Sequence, residues 1–239
     1  MSMMTLIRHG QASFFSADYD RLSSMGEEQS RLLGQYWGIH GVCIDQVFSG
    51  PRLRQQQTTQ WIGEAFRQHG GNWPDPVVEA GLDEYDLTGL MKHLAPALAG
   101  EDPRFASLVD ASRQSATRPN RLRNFQPMFE RLLLHWQSET RSMANVESWT
   151  AFRRRVENAI RQIQDGTPKG CRVAVVTSGG FIGTAVQSTL AAPDTCALEL
   201  NWRVRNCSLT ELVFSRDRST LDSFNAVPHL PEPTHWTYR

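Results

Sequence analysis

This chain is expected to adopt an α/β fold built on a mostly parallel sheet, and three observations carry that expectation. Short apolar runs rich in β-branched residues alternate with longer stretches of helical periodicity. The run Arg172 to Thr177, RVAVVT, has the unbroken apolar character of a strand buried on both faces. Glycine and proline punctuate the joints between runs. At 239 residues the chain has room for one substantial core carrying an inserted segment. No internal repeat or low-complexity linker divides it, so a single domain over 1–239 is expected.

Taken in order, Met4 to Arg8 is the first strand, an apolar run that stops at Arg8-His9-Gly10. Ser24 and Glu27 form an S-x-x-E capping box ahead of a helix carrying Leu32, Leu33, Tyr36 and Trp37, which Gly38 and Gly41 end. Gln46 to Ser49 is a short strand. Gly50-Pro51 turns the chain into a second helix, with proline in the first turn, where its missing N–H has no intrahelical partner to lose. That helix runs through Arg54, Thr58 and Trp61 towards Phe66 and ends near Gly70-Gly71. Val77 and Val78 make a third strand, followed by LDEYDLTG.

From about Leu90 to Asn145 the character changes. Phe125, Met128, Phe129, Leu132, Leu133 and Trp136 recur at helical spacing, and Arg104, Arg113, Arg118, Arg121 and Arg123 make the segment basic. This predicts a mainly helical insertion or cap at about 90–145. After RVAVVT, Gly179-Gly180 opens a helix reaching about Leu190. SLTELVFS and STLDSFNA form a late strand pair, and the tail is broken by proline.

The composition excludes several classes. With 40% hydrophobic and 21% charged residues the chain is an ordinary globular one, not disordered or fibrous. Its formal net charge of +0 gives no electrostatic case for nucleic acid or an anionic membrane as partner. No apolar stretch reaches spanning length, and MSMMTLIRHG lacks the pattern of a signal peptide. Cys43, Cys171, Cys196 and Cys207 have no C-x-x-C spacing, which fits scattered reduced thiols in a cytoplasmic protein. Asn206-Cys207-Ser208 matches a glycosylation sequon but is discounted without a secretory signal. The remaining histidines, His40, His69, His93, His135 and His235, show no metal-binding spacing.

Three stretches can carry chemistry. In TLIRHGQAS, a neutral imidazole at His9 is a competent nucleophile towards phosphorus, and the Arg8 guanidinium beside it suits a phosphate. The glycine that follows allows close backbone approach. In SGPRLRQQQT, Arg52 or Arg54 at a helix start favours the same anion. In LDEYD, any of Asp83, Glu84 and Asp86 can serve as a general acid if apolar neighbours raise its pKa. Each stretch also reads as an ordinary strand end, a solvated helix start or a solvated loop.

In this order, however, TLIRHGQAS, SGPRLRQQQT and the L-x-E of GLDEYD resemble the histidine phosphatase superfamily, the phosphoglycerate-mutase-like proteins. LSSMGEEQS, ESWTAFRRRV and RNCSLTEL resemble further family patterns, so the likeness runs from roughly Thr5 to His229. It implies a three-layer α/β/α architecture and a metal-independent, cofactor-free phosphomonoester hydrolase acting on a phosphorylated small molecule or phosphoprotein. By the same resemblance His9 is the nucleophile that becomes phosphohistidine. Arg8 and Arg54 grip the phosphoryl oxygens, Arg54 standing where the family has R-A-x-Q-T, with Gln11 and Gly179 as further phosphate contacts. Glu84 is the acid that protonates the leaving oxygen and then activates water. Guanidiniums that position and neutralise the group need no metal for this.

The chain departs from the pattern at its second histidine. Where the family has a second histidine in V-x-x-H-G-G, this chain reads VVTSGG and places Ser178. A hydroxyl still donates one hydrogen bond to phosphate, but losing a transition-state donor costs ~10²–10³ in rate. Reduced activity is therefore expected, and Ser178→His is expected to raise turnover. A phospholigand-binding protein with negligible turnover is the alternative, and a phosphoglycerate mutase the less favoured one. His229, near a strand end, either substitutes for the missing imidazole or is structural. Phe14, Phe15 and Tyr85 are expected to shape specificity, and Arg121 and Arg123 to favour acidic substrates.

Overall fold

The computed structural model describes residues 1–13, 20–114, 118–139 and 145–238, for 118–122 the backbone only. Phe14 and Phe15, and the side chains of Arg118 and Arg121, therefore lie outside the described residues. The chain divides into two compact units, Met1–Glu84 with Arg155–Arg239, and Tyr85–Arg154.

The first unit opens with β1 (Ser2–Arg8), α1 (Ser24–Ile39), β2 (Gln46–Ser49), α2 (Leu53–Gln68) and β3 (Val77–Val78). The second holds α3 (Leu87–Gly89), a π-helical turn over Leu90–Leu94, α4 (Ala95–Glu101), α5 (Pro103–Arg113) and α6 (Arg118–Ser138). α7 (Trp149–Gly166) begins in the second unit and continues into the first. The first unit then closes with β4 (Arg172–Thr177), α8 (Gly179–Thr189), α9 (Thr195–Asn201), β5 (Leu209–Ser215) and β6 (Arg218–Ala226).

The six strands form one mixed sheet of order β3-β2-β4-β1-β5-β6. β1, β2, β3 and β4 pair in parallel, while β5 runs antiparallel to both β1 and β6. The parallel strands end level: Arg8 lies opposite Thr177, and Ser49 opposite Val176. On one face Ile7, Val47, Ala174 and Val176 pack with Leu33 and Trp37 of α1, Ile62 and Phe66 of α2, and Trp73. Met4, Leu6, Val173 and Val175 alternate to the other face and are equally buried, as are all residues of α8 from Gly179 to Gln187. This is the α/β fold that the alternating pattern predicts.

Local chemistry corrects the expected boundaries in three places. Ser23, not Ser24, caps α1: it is extended at φ −79° and ψ 167°, and its side chain accepts from the Gly26 N–H. Pro51 precedes α2 instead of entering its first turn, because Arg52 is the extended cap and its N–H is taken by the Gln55 side chain at 2.9 Å. Gly38 lies inside α1, whose end comes at His40 and the left-handed Gly41, φ +62°.

The second unit is helical, and its core is aromatic. Trp136 of α6 packs against Tyr85, Trp149 and Phe152 with ring centroids 5.4–5.7 Å apart. Its indole N–H donates to the Glu147 carbonyl at 2.7 Å. Tyr85, expected in a specificity loop, is buried here instead, because it is the aromatic partner of Trp136 and Phe152.

Candidate active site

The level ends of β1 and β4, with the loop that follows β2, gather the charged residues. Arg8 and His9 come off β1, Arg52 and Arg54 off the start of α2, and Ser178 off the end of β4. Close approach makes this possible. A Cβ on Gly10 would meet the Gly26 carbonyl oxygen at 2.4 Å, and one on Gly26 would meet the Gln11 carbonyl oxygen at 2.2 Å. Glycine at both positions lets α1 start directly against the residues that follow His9.

His9 is buried and its backbone is clamped. Its N–H donates to the Thr177 carbonyl at 2.9 Å, and its carbonyl accepts from the buried Asn206 amide at 3.1 Å. The ring is oriented from both sides. Nδ1 lies 2.7 Å from the Gly10 carbonyl oxygen, which can only accept, so Nδ1 carries the proton. Nε2 then holds the lone pair, and Arg54 Nε–H donates to it at 3.0 Å. Burial pushes the imidazole pKa well below its ordinary value, and the Arg54 and Arg8 charges push it the same way. His9 is therefore neutral at neutral pH, with a defined tautomer and its basic nitrogen facing a guanidinium.

The arginines are themselves held. Arg8 donates from Nη1 to the Val204 carbonyl and lies alongside Gly179. Arg54 Nη1 pairs with Asp20 at 2.6 Å, and the other Asp20 oxygen accepts the Leu53 N–H at the start of α2 at 2.9 Å. Arg52 donates from Nε to Asp83 at 2.5 Å, which raises its pKa against the desolvation that opposes the charge, and its charge adds to the pressure on His9.

Glu84 points to the start of α8, where its Oε2 accepts the Gly180 N–H at 3.0 Å. The loop carrying it is fixed by Arg155, whose guanidinium donates to the Gly81, Asp83 and Glu84 carbonyls at 2.8–3.4 Å. Ser178 is fully buried, and its Oγ accepts from Gln55 Nε2 at 2.9 Å.

His9, Arg8 and Arg54 thus form one connected cluster, with Glu84 and Ser178 at the helix start next to it. Gln11 is placed differently. Its side-chain oxygen accepts from Ser23, its carbonyl accepts from the Ser23 N–H, and its own N–H donates to Gln29 at 2.9 Å. It braces the start of α1. Gly179 faces Arg8 and Asn201, and the helix N–H that meets a carboxylate belongs to Gly180. His229 is buried near Tyr36, ring centroids 6.4 Å apart, and neither of its ring nitrogens has a hydrogen-bond partner among the described residues.

Sequence reasoning passed over Asp20, Gln55, Thr58, Arg155 and Asn206. Thr58, which accepts the Gly10 N–H at 2.9 Å, closes the R-x-x-Q-T pattern, and Asn206 and Arg155 lie inside RNCSLTEL and ESWTAFRRRV. Those patterns held the signal. Gln55 lies inside SGPRLRQQQT, where only the alanine of R-A-x-Q-T sets it apart from Gln56 and Gln57, and nothing adjacent to Asp20 in the sequence points to it.

Comparison with solved structures agrees on the fold. A phosphoglycerate mutase from Bacillus anthracis str. Sterne superposes with a TM-score of 0.63 at 17% identity, covering 96% of this chain and 95% of that one. A phosphoserine phosphatase from Entamoeba histolytica, in complex with 3-phosphoglyceric acid, gives 0.63 at 17% identity over 96% and 100% of the two chains. The alpha-ribazole phosphatase from Shigella flexneri gives 0.59 at 17% over 94% and 96%. No curated protein sequence gives a match. The sequence itself matches the histidine phosphatase superfamily (branch 1) over residues 4–133 and 117–227. The chain belongs to that superfamily.

Proposed function

We propose that this chain hydrolyses phosphomonoesters of small molecules through a phosphohistidine on His9 Nε2. The observation that carries the reading is the state of His9: neutral, with Nδ1–H fixed on the Gly10 carbonyl and the Nε2 lone pair facing Arg54. The imidazole attacks phosphorus while the P–O bond to the leaving group breaks, and Glu84 delivers the proton that the leaving oxygen takes. Glu84, now a carboxylate, accepts a proton from the water that attacks the phosphohistidine. Phosphate leaves and His9 returns to its starting form. Arg8 and Arg54 neutralise the charge on the transferred oxygens throughout.

The relatives of known structure include enzymes named for phosphoserine, alpha-ribazole phosphate and phosphoglycerate chemistry, which supports a small phosphorylated metabolite over a phosphoprotein. All four cysteines are free, which supports a reducing, cytoplasmic setting. A second reading, a phospholigand-binding protein with negligible turnover, is favoured by one observation. Ser178 is closed from solvent and already engaged by Gln55.

Phosphate release from a phosphate-labelled aryl phosphate, with quenching in alkaline detergent to preserve a phosphoryl group on the protein and later acid treatment to release it, decides between them. Hydrolysis and label that both vanish in His9→Ala establish the phosphatase. Tight binding of phosphorylated ligands with no release above the His9→Ala background leaves the binding protein.

A further inference from the structure

Two buried side chains in the first unit answer one another across the start of two helices. Gln55, in the first turn of α2, is fully buried, and so is Ser178, the cap of α8. The amide of Gln55 donates to Ser178 Oγ at 2.9 Å, while its oxygen accepts the Arg52 N–H at 2.9 Å. Room for that amide is provided by a glycine. A Cβ on Gly50 would meet Gln55 Oε1 at 2.3 Å, Cδ at 2.7 Å and Nε2 at 2.9 Å. Gly50, Gln55 and Ser178 therefore form one packed unit, not three independent choices.

Both polar members stand at positions where, by the family resemblance, another residue is expected. Gln55 occupies the alanine of R-A-x-Q-T, and Ser178 the histidine of V-x-x-H-G-G. The longer side chain and the shorter one meet. We propose that Gln55 is the positioning residue that makes up for the lost histidine: it fills the space beside Ser178 and fixes that hydroxyl as a neutral hydrogen-bond donor for the phosphoryl group. The proton logic follows from the contacts. A hydroxyl that accepts from an amide N–H keeps its own proton to donate, and among the described residues nothing accepts that proton. The amide can play this part only in one orientation, because its oxygen is committed to the Arg52 N–H. Gln55 also ties the segment bearing Arg52 and Arg54 to the segment bearing Ser178 and Gly180, so the two sides of the phosphate site keep their spacing.

This inference rests on the proposed phosphatase reading, and it reverses one expectation drawn from sequence alone. An imidazole at 178 would enter a site with no exposed surface, already filled by the Gln55 amide. Ser178→His by itself should therefore overpack the site and lower turnover. With the amide removed as well, the imidazole has somewhere to go.

The test is a double-mutant cycle of Gln55→Ala, Ser178→His and the pair, read as kcat and KM on an aryl phosphate and as the urea midpoint. Gln55→Ala is expected to lower kcat about tenfold with little change in KM. Ser178→His is expected to lower both kcat and the midpoint. The pair is expected to recover, with a coupling factor of about tenfold or more, the size that residues in direct contact show. Independent effects that multiply in the pair, or a rise in kcat from Ser178→His alone, would overturn the proposal. If no version turns over, the phosphatase reading fails, yet the urea midpoints still decide the coupling. Additive midpoints then reject it.

Discussion

The two compact units of this chain carry their information in different ways. In the first, every stretch with a readable chemical spacing ends at one edge of the sheet. Arg8 and His9 follow β1, Arg52 and Arg54 open α2 after β2, and Ser178 follows β4, on strands that end level with one another. A parallel sheet gathers sequence-distant residues at its carboxyl edge, so a motif after each strand is already a statement about a site. The second unit has no such edge. It is held by a cluster of Tyr85, Trp136, Trp149 and Phe152, in which any well-packed set of large apolar groups would serve. Chemistry demands particular residue types at particular positions, whereas packing demands volume.

The sharpest way to break that contrast is to damage each unit separately. Trp136→Ala removes the ring that touches all three other aromatics and strands the Glu147 carbonyl that its N–H satisfies. Truncation of a buried tryptophan should cost about 3–5 kcal/mol, measured as a lowered urea midpoint. His9→Ala should remove turnover at a smaller cost in that midpoint, about 1–3 kcal/mol, since it deletes one small ring and its two hydrogen bonds. A Trp136→Ala protein as stable as its parent would show that the aromatic cluster does not hold the second unit.

A smaller effect distinguishes two buried histidines within the first unit. His9 has hydrogen-bond partners on both ring nitrogens, whereas neither nitrogen of His229 has one among the described residues. Burial lowers the His229 pKa to about 3 from an ordinary 6.5. A group whose folded pKa lies below its unfolded value stabilises the fold in full above about pH 6.5. It then loses that contribution as the pH falls towards the folded value, at about 1.4 kcal/mol per pH unit. His9, also depressed, adds a loss in the same direction. The variant His229→Leu should therefore flatten the acid slope of unfolding free energy by one proton's worth between pH 6.5 and 4.5. An unchanged slope would mean that His229 is protonated in the folded protein.

How far the sequence could be read follows the same division. The parallel strands were legible because an unbroken β-branched run such as RVAVVT has few alternatives, and the gathering of Arg8, His9 and the arginines of α2 because each follows a strand end, whereas the choice of Arg54 over Arg52, and of Glu84 over Asp83 and Asp86, came from the family resemblance alone. Gln55 was not legible. It sits among Gln55, Gln56 and Gln57, and only one of the three is buried enough, and turned correctly, to reach Ser178. Asp20 was not legible either, since its two partners, Leu53 and Arg54, are more than thirty positions along the chain. Tyr85 follows Glu84 directly, so it reads as part of the acid's loop, but only the fold shows that it turns into an aromatic core.

The smallest test concerns adjacent serines that a pattern reading exchanges. Ser24 with Glu27 satisfies the S-x-x-E spacing, but Ser24 is the first helical residue of α1. Ser23 is the residue with extended backbone, and its Oγ accepts the Gly26 N–H at 3.2 Å while donating to the Gln11 side chain at 2.9 Å. Dihedral angle decides the matter, because a cap must stand outside the helix to turn its oxygen onto the first free N–H groups. Ser23→Ala should cost about 1 kcal/mol of unfolding free energy, whereas Ser24→Ala, which places the best helix former at an exposed first-turn position, should be neutral or slightly stabilising. The Ser23 change should also free Gln11 from its brace next to Gly10, so a modest rise in KM is expected with it. Equal destabilisation by the two substitutions would return the cap to the capping-box position and detach Ser23 from the residues that follow His9.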